Sequence, residues 1–163
     1  MRQIAKKKIL TLQEYRSLQP YKGVKTVLVG GCFDIFHFGH LSFLQKAKKQ
    51  GDRLIIALES DEFIIDSKRR PPVHTHMQRA QLLAELQSVD LVLLLPHFTS
   101  EQQYPELVSE IKPACIAVTE GDVNLEKKQH QAKSIGAKVM IVSALLAPFS
   151  TSQILDYGTI YRN

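Results

Sequence analysis

Apolar residues recur along this chain in short unbroken runs, separated by longer stretches in which they return every three or four positions. Thr26-Val27-Leu28-Val29 is β-branched and apolar without alternation, as expected of a strand buried on both faces. Arg53 to Leu58, Leu91 to Leu95, Cys115 to Val118 and Val139 to Val142 repeat that pattern. Leu41, Phe43, Leu44 and Ala47, opposed by Gln45, Lys46, Lys48 and Lys49, have the period of an amphipathic helix. Helical patterns also fill His76 to Leu86, Tyr104 to Ile111 and Leu125 to Ile135. Strands alternating with helices predict an α/β fold, a single Rossmann-like, doubly wound domain with a five-stranded parallel sheet. Right-handed crossovers then place the loops that follow the strands along one edge, where ligands of such sheets bind. Residues 1–22 read as a lead-in segment, and 163 residues suit one core rather than two.

Within this pattern one junction carries chemistry. Gly30-Gly31-Cys32-Phe33-Asp34-Ile35-Phe36-His37-Phe38-Gly39-His40-Leu41 joins the first long strand to its helix. The first turn of a helix offers unpaired backbone N–H groups and a partial positive charge, both suited to an anion. Gly30 and Gly31 allow tight backbone geometry, and Gly39 allows a ligand to approach closely. His37 and His40 are three apart, so on a helical turn they face the same way. If the object between them is a triphosphate, their N–H groups can donate to oxygens that gain charge in the transition state. The pair could also hold a metal with Cys32 or Asp34, although zinc needs a third protein ligand, or it could be purely structural. Only the phosphate reading explains glycines, histidines and helix start together, so no protein-held metal is expected.

The net charge of +5 and the pI near 9.2 raise the question of nucleic acid. The basic residues lie singly or in short clusters, Lys6 to Lys8, Lys46 to Lys49 and Lys68 to Arg70, with no interleaved aromatic platform and no Trp. Small phosphorylated substrates suit this better, and no nucleic-acid partner is expected. Cys32 and Cys115 fall in or beside strands and suggest no disulfide framework, as in a reducing cytoplasm. No apolar run approaches the ~20 residues that cross a bilayer, so a soluble protein without a membrane partner is expected.

The junction resembles the H-x-G-H signature of the cytidylyltransferase and adenylyltransferase superfamily, and it matches the fuller G-x-F-D-x-x-H-x-G-H at every fixed position. Lys8-Ile9-Leu10-Thr11-Leu12-Gln13-Glu14, Gly51-Asp52-Arg53, Ser60-Asp61, Arg70-Pro71, Gln78-Arg79, Val89-Asp90, Gly121-Asp122 and Ser150-Thr151-Ser152 are similar, in order and near spacing, to the heptose-1-phosphate adenylyltransferase branch. Members of that branch are often fused behind a sugar kinase, which a chain of this length is not expected to include. The resemblance implies transfer of AMP from ATP to a sugar 1-phosphate, with Mg²⁺ accompanying the nucleotide, and a homodimer, the common state of the family. A cytidylyltransferase using CTP on a polyol phosphate, and a nucleotide-binding module without turnover, are the alternatives.

Site residues follow from the same resemblance. His37 and His40 would steady the phosphates and Lys68 would offset the charge of leaving pyrophosphate. The glycine that usually follows that lysine is Arg69 here. Gly31, Cys32, Phe33, Asp34, Gly39, Gly121 and Asp122 would line the nucleotide, with Ser150, Thr151 and Ser152 as a second anion nest or a plain N-cap. The branch's Lys-Gly-Gly-Asp-Tyr is Thr119-Glu120-Gly121-Asp122-Val123 in this chain, which could mean a different acceptor. Arg79 could hold a phosphate or pair with an acidic neighbour, and Asp61 could accept a substrate hydroxyl or cap a helix. Asp66 to Pro72 reads as a charged loop closed by prolines. His74, His76, His97 and His130 match no motif.

Overall fold

The computed structural model describes residues 7–144 and 154–155. All pairings in its sheet are parallel, in the order β1-β4-β3-β2-β5-β6. The strands are β1 (Ile9–Thr11), β2 (Thr26–Gly31), β3 (Arg53–Leu58), β4 (Leu91–Leu94), β5 (Cys115–Thr119) and β6 (Lys138–Ser143). The helices are α1 (Leu12–Leu18), α2 (Phe38–Lys48), α3 (Asp61–Lys68), α4 (His76–Ala84), α5 (Gln103–Ile111) and α6 (Leu125–Ser134). The doubly wound α/β expectation holds, with six strands in place of five. The added strand is β1, which lies in the lead-in and is too short to show a pattern; it joins the edge by pairing Ile9 with Val92 and Thr11 with Leu94. Thr11 and Glu14 then form a reciprocal capping box that starts α1.

Both faces of the sheet are covered, which is why its strands lack alternation. On one face Leu28, Ile55, Leu93 and Ile116 pack with Leu107 and Val108 of α5 and Ala132 of α6. On the other, Val29, Ile56 and Leu58 pack with Phe43 and Leu44 of α2 and Leu83 of α4. The chain adds β3 and β4 on one side of β2 and β5 and β6 on the other, so the order reverses between β2 and β5. The crevice at that reversal is where open α/β sheets bind ligands. Among the described residues no helix is long and apolar enough to cross a membrane.

Asp90 ties the opposite, amino-terminal edge together. Its carboxylate accepts from Lys48 at 2.6 Å, Arg53 at 2.8 Å and the Leu54 N–H at 2.8 Å. Burial works against its charge, but these donors outweigh it and hold the carboxyl below the usual range. The Val89-Asp90 pair is thereby explained as architecture, remote from the carboxyl edge.

Helix α3 departs from the expected loop. Ser60 accepts from the Phe63 N–H and starts a helix that runs through Asp66, Ser67 and Lys68. It ends on Arg69 at φ 56°, in the left-handed region that favours glycine. Arg69→Gly is therefore expected to stabilise the fold by roughly 0.5–1 kcal/mol, seen as a higher urea midpoint at unchanged slope. A lower midpoint would show that the Arg69 side chain contributes more than its backbone costs.

Candidate active site

The turn between β2 and α2 is built around Phe33. This residue is 6 % exposed and sits at φ 48°, an uncommon conformation for a side chain of its size. A Cβ on Gly31 would lie 2.9 Å from Phe33 Cε2, so the ring's seat requires glycine there. Phe33 in turn packs against His40, with ring centroids 4.9 Å apart, and Phe36 flanks the same imidazole at 5.8 Å. His37 occupies the N-cap of α2 in extended conformation, with no side-chain capping bond, and Gly39 lies in the first turn. The imidazoles of His37 and His40 stack at 3.8 Å with a 21° interplanar angle.

That packing fixes their charge. Burial pushes His40 down to about 4, and the neighbouring His37 adds to the effect. Burial also lowers His37. Both rings are neutral near pH 7, so each offers one N–H donor and acts by its dipole rather than by a full charge. Nδ1 of each ring is buried without a hydrogen-bond partner. A pair of half-buried imidazoles at a helix start whose end the N-cap side chain leaves uncovered can cradle an anion without reorganising.

Other residues named from sequence hold the cradle's walls. Asp34, 3 % exposed, accepts from the guanidinium of Arg70, the Val73 N–H at 2.8 Å and the His74 N–H at 3.2 Å, while His74 Nδ1 lies 2.9 Å from the Asp34 carbonyl oxygen. It thus straps the segment after α3 to the β2–α2 turn. Burial opposes the charge of Asp34, but these donors hold its carboxyl below the usual range. Arg79 has no exposed surface. It donates to the carbonyls of Cys32 at 2.6 Å, Glu59 at 2.9 Å and His74 at 3.2 Å, and to Asp61 Oδ1 at 2.7 Å. Of the two readings for Arg79, the structure shows the ion pair, because the acidic neighbour lies one helix earlier. Asp61 is engaged likewise and also accepts from the His76 N–H at 3.1 Å. The adjacent Gln78 completes a capping box with Thr75. Lys68 ends α3 exposed, close enough to favour the thiolate of Cys32, yet burial dominates and pushes that thiol up to about 11.

Across the reversal, Gly121 follows β5 at φ 74°, and Asp122 accepts from the Asn124 N–H at 2.8 Å and from Lys128 at 2.6 Å. Ser150, Thr151 and Ser152 lie outside the described residues. Among the described residues no three His, Cys, Asp or Glu side chains gather in a way that could hold a metal ion. Sequence reading passed over one group at this edge, Glu59, which is 8 % exposed and accepts from the Tyr104 hydroxyl at 3.1 Å. Its only signal was a carboxylate closing an apolar strand.

Burial pushes Glu59 up to about 7 from 4.5, against Tyr104, Arg79 and Lys128. Because the folded value is the higher one, the folded chain binds more protons between those limits. The stability this group contributes is complete below about pH 4.5 and is lost as pH rises through 7. Glu59→Gln does not titrate, so its stability relative to the parent chain is expected to climb across that window and level off above it. Urea midpoints for both proteins at four or five pH values check this, and a flat difference would place the carboxyl in water.

The geometry agrees with what the chain resembles. Residues 28–155 match the family model described as cytidylyltransferase-like. The bifunctional protein HldE of Campylobacter jejuni subsp. doylei is 36 % identical over 155 residues, which are 92 % of this chain and 31 % of that protein. The chain therefore spans about a third of the length of that relative. An FAD synthase of Pyrococcus abyssi is 36 % identical over 117 residues, 71 % of this chain and 77 % of that protein. Among solved structures, a lipopolysaccharide core biosynthesis protein from Thermoplasma volcanium superposes with a TM-score of 0.60 at 27 % identity, covering 76 % of this chain and 98 % of that one. With the family's signature seated where its sheet reverses, this chain belongs to the cytidylyltransferase-like family of nucleotidyltransferase domains.

Proposed function

We propose that this chain transfers AMP from ATP to a sugar 1-phosphate such as heptose 1-phosphate and releases pyrophosphate. The observation that carries the reading is the stacked, neutral pair His37 and His40 at the amino end of α2. An oxygen of the acceptor phosphate attacks the α-phosphorus in line, so no protein nucleophile is needed and positioning does the catalysis. His37 and His40 donate to phosphate oxygens as negative charge grows on them. Lys68, exposed at the end of α3, offsets charge on the departing pyrophosphate. Mg²⁺ arriving with the nucleotide would supply further charge neutralisation, which would need no all-protein cage. Gly121 and Asp122 border the nucleotide from the other side of the reversal.

The FAD synthase likeness supports a second acceptor, a flavin phosphate, since FAD joins an AMP unit to one. The AMP unit of FAD supports the choice of ATP over CTP. The test is a matrix of ATP and CTP against sugar 1-phosphates, glycerol 3-phosphate and flavin mononucleotide, read by pyrophosphate release. Release with ATP and a sugar 1-phosphate is the expected result. Release only with flavin mononucleotide moves the assignment to the second acceptor, and release only with CTP overturns the choice of nucleotide. Nucleotide binding without release from any pair would leave a binding module.

A further inference from the structure

Among the described residues Glu59 is the least satisfied of the buried charged groups Asp34, Glu59 and Arg79. Ala57, two residues earlier on β3, packs into the core shared with α5 and α6, and Glu59 continues on that face to meet Tyr104 of α5. His40's neighbours Phe33 and Phe36 belong to the opposite face, with α2. The two groups thus flank one edge from opposite sides, only a strand apart. The Glu59 N–H donates to the Gly31 carbonyl at 3.1 Å, and Arg79 grips the Cys32 and Glu59 carbonyls together.

Beside Glu59 the floor is open. Gly30 pairs in register with Ala57 and is exposed although Val29 before it is fully buried. A Cβ built on Gly30 would meet nothing within 4 Å. A carboxylate taken out of water needs several donors, yet among the described residues Tyr104 is the one side chain that donates to Glu59. Its raised pKa reflects the same shortage. Holding α5 to β3 requires no charge at all, since a neutral acceptor would bind the Tyr104 hydroxyl at lower cost.

We propose that Glu59 selects the acceptor: its carboxylate takes a hydrogen bond from a hydroxyl of a polyhydroxylated, phosphorylated acceptor lying over Gly30, while His37 and His40 hold the nucleotide from the other face. The proposal rests on the nucleotidyl-transfer reading and identifies the part of the site that reads the second substrate. A site built to pair with a hydroxyl rejects analogues that lack it, because its own buried polar group is then left without a partner.

Two binding measurements on the full chain separate this inference from that reading. Calorimetric titration with MgATP reports the nucleotide cradle. Titration with sugar 1-phosphates, glycerol 3-phosphate and flavin mononucleotide, against ethyl phosphate as the hydroxyl-free control, reports the acceptor subsite. Glu59→Gln is expected to weaken the best polyhydroxylated ligand about tenfold or more and to leave MgATP affinity within about twofold. Tyr104→Phe removes the hydroxyl that holds Glu59 but keeps the carboxylate, and should retain most of the acceptor affinity. Unchanged acceptor affinity in Glu59→Gln, or no preference over ethyl phosphate in the parent chain, overturns the proposal. Equal loss of both ligands in Glu59→Gln and Tyr104→Phe would mark the pair as structural and overturn it too. Absence of MgATP binding to the parent chain defeats the nucleotidyl-transfer reading instead, and the acceptor titrations still decide the role of Glu59.

Discussion

Replacing His40 with alanine is expected to lower turnover on the order of 10²-fold or more while the far-UV circular dichroism stays that of the parent chain. The ring is a preorganised donor, held in a stack of 3.8 Å against His37 and between Phe33 and Phe36, so it need not reorganise when charge develops on the phosphate. A contact that strengthens only in the transition state lowers kcat and leaves the nucleotide KM nearly in place. His40→Asn, which keeps a side-chain N–H, should recover part of the loss. If both imidazoles serve one anion, as proposed, the His37→Ala, His40→Ala double variant falls little below the weaker single one. Pyrophosphate release at saturating nucleotide measures the parent chain, both single alanine variants, His40→Asn and the double variant. Parent-like turnover in His40→Ala would remove the histidine pair from the chemistry.

Arg79→Met is expected to destabilise the protein by about 3–5 kcal/mol, the usual cost of breaking a buried ion pair from one side. At 2–4 °C per kcal/mol for a domain of this size, that lowers Tm by roughly 6–20 °C. The guanidinium is fully buried and gathers four acceptors from four chain segments: Cys32 after β2, Glu59 after β3, Asp61 in α3 and His74 before α4. Removing it leaves three carbonyls and a carboxylate in want of donors. Lysine is not a substitute, since one ammonium on a flexible stem cannot reproduce the planar fork. Thermal unfolding of Arg79→Met and Arg79→Lys tests this, and a Tm within about 2 °C of the parent would show that water replaces the fork.

These two residues were unequally legible. The H-x-G-H spacing alone put His37 and His40 on one side of a helical turn, since the relation of positions three apart is set by the helix itself. The stack and its neutral charge were not readable, because they depend on Phe33 entering the left-handed region and on glycine at position 31 making room for its ring. Arg79 left two readings open. Deciding between them required knowing that α3 and α4 bring Asp61 within 2.7 Å.

The sequence by itself determined the parallel doubly wound sheet and the place of the turn that carries His37 and His40, because burial on two faces and the helical period are relations between near neighbours along the chain. Only the tertiary structure decided that β1 closes an edge, that Asp66 to Lys68 finish a helix, and that Glu59 meets Tyr104, 45 positions away. Such pairings are set by strand order and by which helices share a face, so the partners of a buried charge carry no period that a sequence could display.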